Sequence, residues 1–174
     1  MNSMIVRGKA FKYGDNINTD IISPPQYMEL SVAEAAKYTL SALDPEFAGK
    51  VRKGDILVAG VNFGSGSSRE TSPLTLRYLG VGAIVAKFFA RIFYRNAINI
   101  GLPVVECREA DRIGANDIIE IDFEQGKITN ITKGEAYDCS AIPPHILELV
   151  QAGGLVAYLK KHLSEPAKTD PSSG

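Results

Sequence analysis

Ser67, Ser68 and Arg69 stand together in the stretch Asn62-Phe-Gly-Ser-Gly-Ser-Ser-Arg-Glu70. Two hydroxyls beside a guanidinium, directly after two glycines, make a combination that can hold an anion and move a proton. The guanidinium is a permanent, forked donor that matches a carboxylate or phosphate. Gly64 and Gly66 let the backbone take a positive φ or approach another group closely. The flanking sequence says how these residues are positioned. Asp55-Ile-Leu-Val-Ala-Gly-Val61 is apolar and β-branched, the pattern of a buried strand. Thr71 to Leu79 reads as a helix with Leu74, Leu76, Tyr78 and Leu79 on its apolar side and Gly80 as its stop. The order is therefore strand, glycine turn, helix N-terminus, and free N–H groups at such a terminus favour an anion.

Known anion loops do not match. In a G-x-G-x-x-G fingerprint the third glycine position is occupied here by Arg69, no lysine follows Gly66 as a phosphate loop requires, and there is no G-x-S-x-G elbow. The same residues also satisfy a capping box, with Ser67 as the cap and Glu70 reaching back to it. Spacing alone leaves both readings open, a structural cap and a reactive anion site.

The rest of the composition narrows the classes. The chain has 174 residues, 45% hydrophobic and 22% charged, which suits one domain with a real core. A net charge of -1 gives no sign of nucleic-acid binding. No apolar run reaches a membrane span and no apolar signal core opens the chain, so a cytoplasmic location is expected, with no membrane partner. The 2 cysteines, Cys107 and Cys139, and the 2 histidines, His145 and His162, have no metal-site spacing, and no metal ligands are expected on this chain. Both cysteines are read as buried small apolar residues, and His162 as a solvated residue at a helix end. The sequon Asn130-Ile-Thr132 is read as a chance match.

Along the chain, Ile5 to Tyr13 predicts a first strand, and Asn18 to Pro25 a loop carrying Asp20. A capping box at Ser31 to Glu34 predicts a helix through Thr39 or a little beyond. Ala83 to Ala86 and Leu102 to Val105 predict short strands around a helix from Ala90 to Ile100, with Ile92, Phe93, Ala97 and Ile100 on one face. This βαβαβ alternation implies a small parallel sheet with right-handed crossovers. Asp117 to Thr132 predicts a hairpin, and two short helices follow, separated by Gly153-Gly154. The domain is expected to span residues 1–163, with 164–174 a mobile tail.

The motif Gly64-Ser-Gly-Ser-Ser-Arg-Glu70, the stretch from Ala86-Lys-Phe-Phe-Ala-Arg91 to Gly101-Leu102, and Thr19-Asp20 after Tyr13-Gly-Asp-Asn16 together resemble the small swivelling-domain subunits of the aconitase superfamily, and most of all the isopropylmalate dehydratase small-subunit family. The resemblance runs from about Ile5 to His162. It implies an α/β swivelling domain (β/β/α) and a hydro-lyase active only with a large subunit, in a heterodimer or heterotetramer. That partner would carry a [4Fe–4S] cluster, and this chain would carry no cofactor. The reaction implied is stereospecific dehydration and rehydration of an alkylmalate in leucine biosynthesis. By the same resemblance Ser67 is the base, Arg69 clamps a substrate carboxylate, and Ser68 and Asp20 contact substrate. Arg91 and Asn96 stand behind them. The segment Tyr27-Met-Glu-Leu30 aligns with the loop that reads the substrate's side group. Where relatives often carry arginine in this loop, Glu29 stands here, and it would repel a substrate with an extra carboxylate. Met28 and Leu30 suit an alkyl group, so 2-isopropylmalate is expected first and 2,3-dimethylmalate second, ahead of a homoaconitase substrate. A stand-alone small-carboxylate binding module and a stand-alone serine hydrolase are the readings from other classes. No histidine lies within the motifs to activate Ser67, which disfavours the hydrolase.

Overall fold

The computed structural model describes residues 4–66 and 71–163. Ser67, Ser68, Arg69 and Glu70, and the expected tail 164–174, lie outside the described residues. One seven-stranded mixed sheet runs in the order β4-β3-β2-β1-β5-β6-β7. Its seam is β1 (Ile5–Lys12), which pairs in parallel with β2 (Ile56–Val58) and antiparallel with β5 (Ile118–Asp122).

On the parallel side, β2 is followed by α4 (Thr71–Tyr78), β3 (Ala83–Ala86), α5 (Arg91–Asn99) and β4 (Val104–Glu106). Every residue of β2 and β3 is buried, which is why both read as unbroken apolar runs. Crossover helices cover such strands on their faces and leave the C-terminal strand ends free to build a site. The buried face of α4 differs from the expectation. Ser72, Pro73, Thr75 and Leu76 are buried, whereas Tyr78 is 60% exposed. In α5, Phe93, Ala97 and Ile98 face inward, but Ile92 is 53% exposed. Ile92 borders the apolar sector of its helix, and the sheet takes only the narrower stripe.

On the antiparallel side, β5, β6 (Lys127–Asn130) and β7 (Glu135–Asp138) form a meander rather than a lone hairpin. Alternating burial in β5 and β6 shows one core face and one wet face. Beneath it sits a polar knot. Asn130 Nδ2 donates to Asp117 Oδ2 at 2.9 Å and to the Tyr137 hydroxyl at 3.2 Å, and that hydroxyl donates to Glu135 Oε1 at 2.6 Å. Asn130 is 0% exposed, so the sequon is not a surface acceptor site. Two helices, α6 (Pro144–Gln151) and α7 (Leu155–Leu163), close the described chain, with α6 packed on α5.

The segment between β1 and β2 holds more helix than expected. Asn18 to Pro25 is not a plain loop: α1 (Thr19–Ile22) forms there, and a 3-10 turn follows at Pro25–Tyr27. The Ser31 cap forms as expected, its hydroxyl accepting from Glu34 N at 3.2 Å. However, α2 (Val32–Ala35) lasts one turn and tightens into a 3-10 turn at Ala36–Tyr38. Leu40 then takes a left-handed φ of 60° and donates its N–H to Ile22 O at 3.0 Å. A final helical turn, α3 (Phe47–Lys50), leads back to β2.

Candidate active site

The glycine turn leaves the end of β2 and runs alongside the segment that leaves β1. Backbone bonds zip the two together: Tyr13 N to Val58 O at 2.8 Å, Asn16 N to Val61 O at 2.9 Å, Gly64 N to Ile17 O at 2.7 Å and Thr19 N to Ser65 O at 2.8 Å. Asn16 and Asn62 turn the chains with φ of 58° and 59°, a region asparagine tolerates better than most residues, and their side chains bond at 3.2 Å. The zipper sets the start of α1 against the glycine turn. A Cβ on Gly66 would stand 3.1 Å from Thr19 Oγ1, and its φ of +107° is one that side chains rarely adopt.

α1 is held by its cap. Asn18 Oδ1 accepts from Ile21 N at 2.9 Å, satisfying a donor that the helix start would otherwise leave open. Asp20 lies exposed in the first turn, close in space to the Ser65-Gly66 backbone through its neighbour Thr19. Ser67, Ser68 and Arg69 fall in the undescribed stretch, whose described neighbours in sequence are Gly66 and Thr71.

The turn is supported from beneath by aromatic packing. Phe63 meets Phe89 and Phe93 edge-on, with centroids 5.7 and 5.2 Å apart. Phe93 lies so close that a Cβ on Gly64 would come within 2.3 Å of its ring. Phe93 belongs to α5, whose first residue, Arg91, is exposed and lines an open cleft of about 340 Å³ with Phe88, Phe89, Tyr94, Glu106 and Ser140. Glu106 Oε2 accepts from Phe89 N at 3.0 Å, and burial together with Glu106 pushes the Tyr94 hydroxyl up. Asn96 is half-buried farther along α5. Five residues turn a helix by roughly 140° beyond a full circle, so Arg91 and Asn96 do not share a face.

The segment Tyr27, Met28, Glu29 and Leu30 belongs to the excursion 23–39, whose ends meet at the Leu40–Ile22 bond. Met28 is 47% exposed and Leu30 38% exposed, and Glu29 is exposed beside them. Behind them is a small apolar cavity of about 20 Å³, lined by Ser23, Tyr27, Met28, Leu30, Thr71 and Thr75 among others. The excursion is thus joined, across this cavity, to the first turn of α4, directly after the Ser67–Glu70 motif. Thr71, Thr75 and Glu106 border these spaces without having stood out in the sequence, because a threonine on an inward helix face and a glutamate ending a strand carry no spacing signal.

A cluster on this chain is disfavoured by its donor set. Iron–sulfur clusters are held mainly by several cysteine thiolates. The chain has 2 cysteines, and burial pushes both thiols up, that of Cys139 to about 12. Among the described residues no three His, Cys, Asp or Glu side chains converge.

Residues 12–110 match the aconitase C-terminal domain family. The 3-isopropylmalate dehydratase small subunit of Caldicellulosiruptor saccharolyticus is 52% identical over 166 residues, 94% of this chain and 96% of that protein. Small subunit 1 of the same enzyme in Thermotoga maritima is 51% identical over 164 residues, 93% of this chain and 99% of that protein. A crystal structure of 3-isopropylmalate dehydratase from Methanocaldococcus jannaschii superposes with a TM-score of 0.90 at 42% identity, covering 96% of this chain and all of that one. With agreement in sequence over nearly its whole length and in the course of its sheet, this chain belongs to the 3-isopropylmalate dehydratase small-subunit family of the aconitase superfamily.

Proposed function

We propose that this chain is the catalytic small subunit of a 3-isopropylmalate dehydratase, a hydro-lyase that interconverts 2- and 3-isopropylmalate in leucine biosynthesis and works only with a cluster-bearing large subunit. The observation that carries the proposal is the identity of about half the residues with small subunits of that enzyme over more than nine-tenths of the chain. In this reading Ser67 takes the weakly acidic C–H proton next to a substrate carboxylate. Backbone N–H donors and the neighbouring guanidinium favour its charged form. Arg69 holds a carboxylate as a forked donor, while Ser68 and Asp20 contact the substrate. The [4Fe–4S] cluster of the partner supplies Lewis acidity toward the substrate hydroxyl and carboxylate. Apolar Met28 and Leu30 meet the alkyl group and Glu29 turns away substrates with an extra carboxylate. A 2,3-dimethylmalate dehydratase is the second reading, favoured by the same apolar pair, and Glu29 disfavours a homoaconitase.

The test is reconstitution. Purified chain is mixed with a cluster-loaded large subunit and assayed on 2-isopropylmalate, 2,3-dimethylmalate and homocitrate. Turnover of the isopropyl compound is expected only in the mixture, and Ser67→Ala is expected to lower kcat by about 10³-fold while the subunits still associate. Carboxylate binding by the lone chain, with no activity on mixing, would instead favour a stand-alone binding module.

A further inference from the structure

We infer that Tyr38 is a positioning residue for side-group selectivity, acting through its stack on Tyr27 to hold the strap 25–30 over the apolar cavity. The inference rests on the reading of Tyr27 to Leu30 as the segment that meets the substrate's side group.

The two rings lie nearly parallel, at 8°, with centroids 3.8 Å apart. They come from different 3-10 turns, Pro25–Tyr27 and Ala36–Tyr38, on the two limbs of the excursion. The limb that carries Tyr38 is anchored. Its turn packs on α3 and α4, and the next two residues, Thr39 and Leu40, are buried, with Leu40 bonded to Ile22. The limb that carries Tyr27 is tied differently. The backbone bonds that begin within the strap, Tyr27 N to Pro24 O, Met28 N to Pro25 O and Leu30 N to Tyr27 O, are all local turns. They shape the strap without fixing how closely it lies on α4. The ring stack spans the limbs and supplies that constraint.

Closeness matters because the cavity is small. About 20 Å³ admits a group of roughly water or methyl size. An isopropyl group needs more room, so the separation of Met28 and Leu30 from Thr71 and Thr75 decides which side group fits. A side chain that sets this separation tunes selectivity without touching substrate.

The experiment compares wild type, Tyr38→Phe and Tyr38→Ala in the assembled two-subunit enzyme. Rates are measured on isopropyl- and methyl-substituted malates, and amide hydrogen exchange is followed at Met28 and Leu30. Tyr38→Ala loosens the strap and admits the larger group, so it is expected to raise the isopropyl-to-methyl ratio of kcat/KM about fivefold, the size of a lost ring pair, mainly through a lower KM for the isopropyl compound. Its kcat on the methyl compound should stay within about twofold, and exchange at both amides should quicken by a similar fivefold factor. Tyr38→Phe keeps a ring and should restore both readouts. An equal change on both substrates, a lowered ratio, or an unchanged ratio despite faster exchange would overturn the selectivity role. Should the wild-type pair turn over neither compound, the proposed activity fails instead; unchanged exchange in Tyr38→Ala would then overturn the positioning role separately.

Discussion

Gly64 shows how much of the site depends on a missing side chain. Its φ of +82° is strained for other residues, and a Cβ there would run into Phe93, which is itself wedged between Phe63 and Phe89. Neither cost can be relieved by a small shift, because the ring is buried and has partners on both sides. Gly64→Ala is therefore expected to lower unfolding stability by about 3 kcal/mol, adding backbone strain to overpacking, as read by denaturant titration. Activity in the reconstituted pair should fall further than stability alone explains, since the turn leads directly into Ser67. Chemical types were legible at this scale, but their neighbours were not. Ser67, Ser68 and Arg69 offer hydroxyls beside a guanidinium, but the same spacing fits a capping box, and only the family resemblance gave them roles. The contact between Thr19 and Gly66 joins residues far apart in the chain, and no local pattern encodes it.

At the scale of elements, the meander β5-β6-β7 is held by the knot of Asp117, Asn130, Tyr137 and Glu135. Burial, and then the bond to Glu135, raise the Tyr137 hydroxyl from its ordinary 10.0 to about 12. A group whose folded value lies above its unfolded one contributes stability below the unfolded value and loses it as pH rises through the folded one. The window is therefore from about pH 10 to 12, and the amount is on the order of 2 kcal/mol. Denaturant titrations across that range should show stability falling in wild type and falling less steeply in Tyr137→Phe. A remaining slope is expected from Tyr13, whose hydroxyl burial and the bond to Asp44 also push up. The knot explains why β7 was not foreseen: Glu135-Ala-Tyr-Asp138 turns only Tyr137 inward, too little for an apolar alternation. Strands β2 and β3 were legible because burial on both faces writes a continuous apolar run. The turns of 19–27 were not, because each is too short to show a period.

For the molecule as a whole, β1 divides the labour. Its parallel flank carries the glycine turn, α4 and α5, while its antiparallel flank carries the meander β5-β6-β7. The excursion 23–39 leaves this frame at Ile22 and rejoins it at Leu40, where one hydrogen bond closes the gap. Departure and return at a single spot make the segment an exchangeable cartridge. Its length and chemistry can be rewritten while the strands on either side keep their partners. Grafting residues 23–39 from a relative that prefers a different hydroxy acid, with Ala36 and Thr39 kept because both are buried, is expected to move the preference of the reconstituted pair toward the donor's substrate with the thermal midpoint nearly unaltered, and a substrate panel alongside a melting curve would read both. New specificities in such a scaffold can then arise by swapping one insert that keeps its buried foot at Ala36 and Thr39.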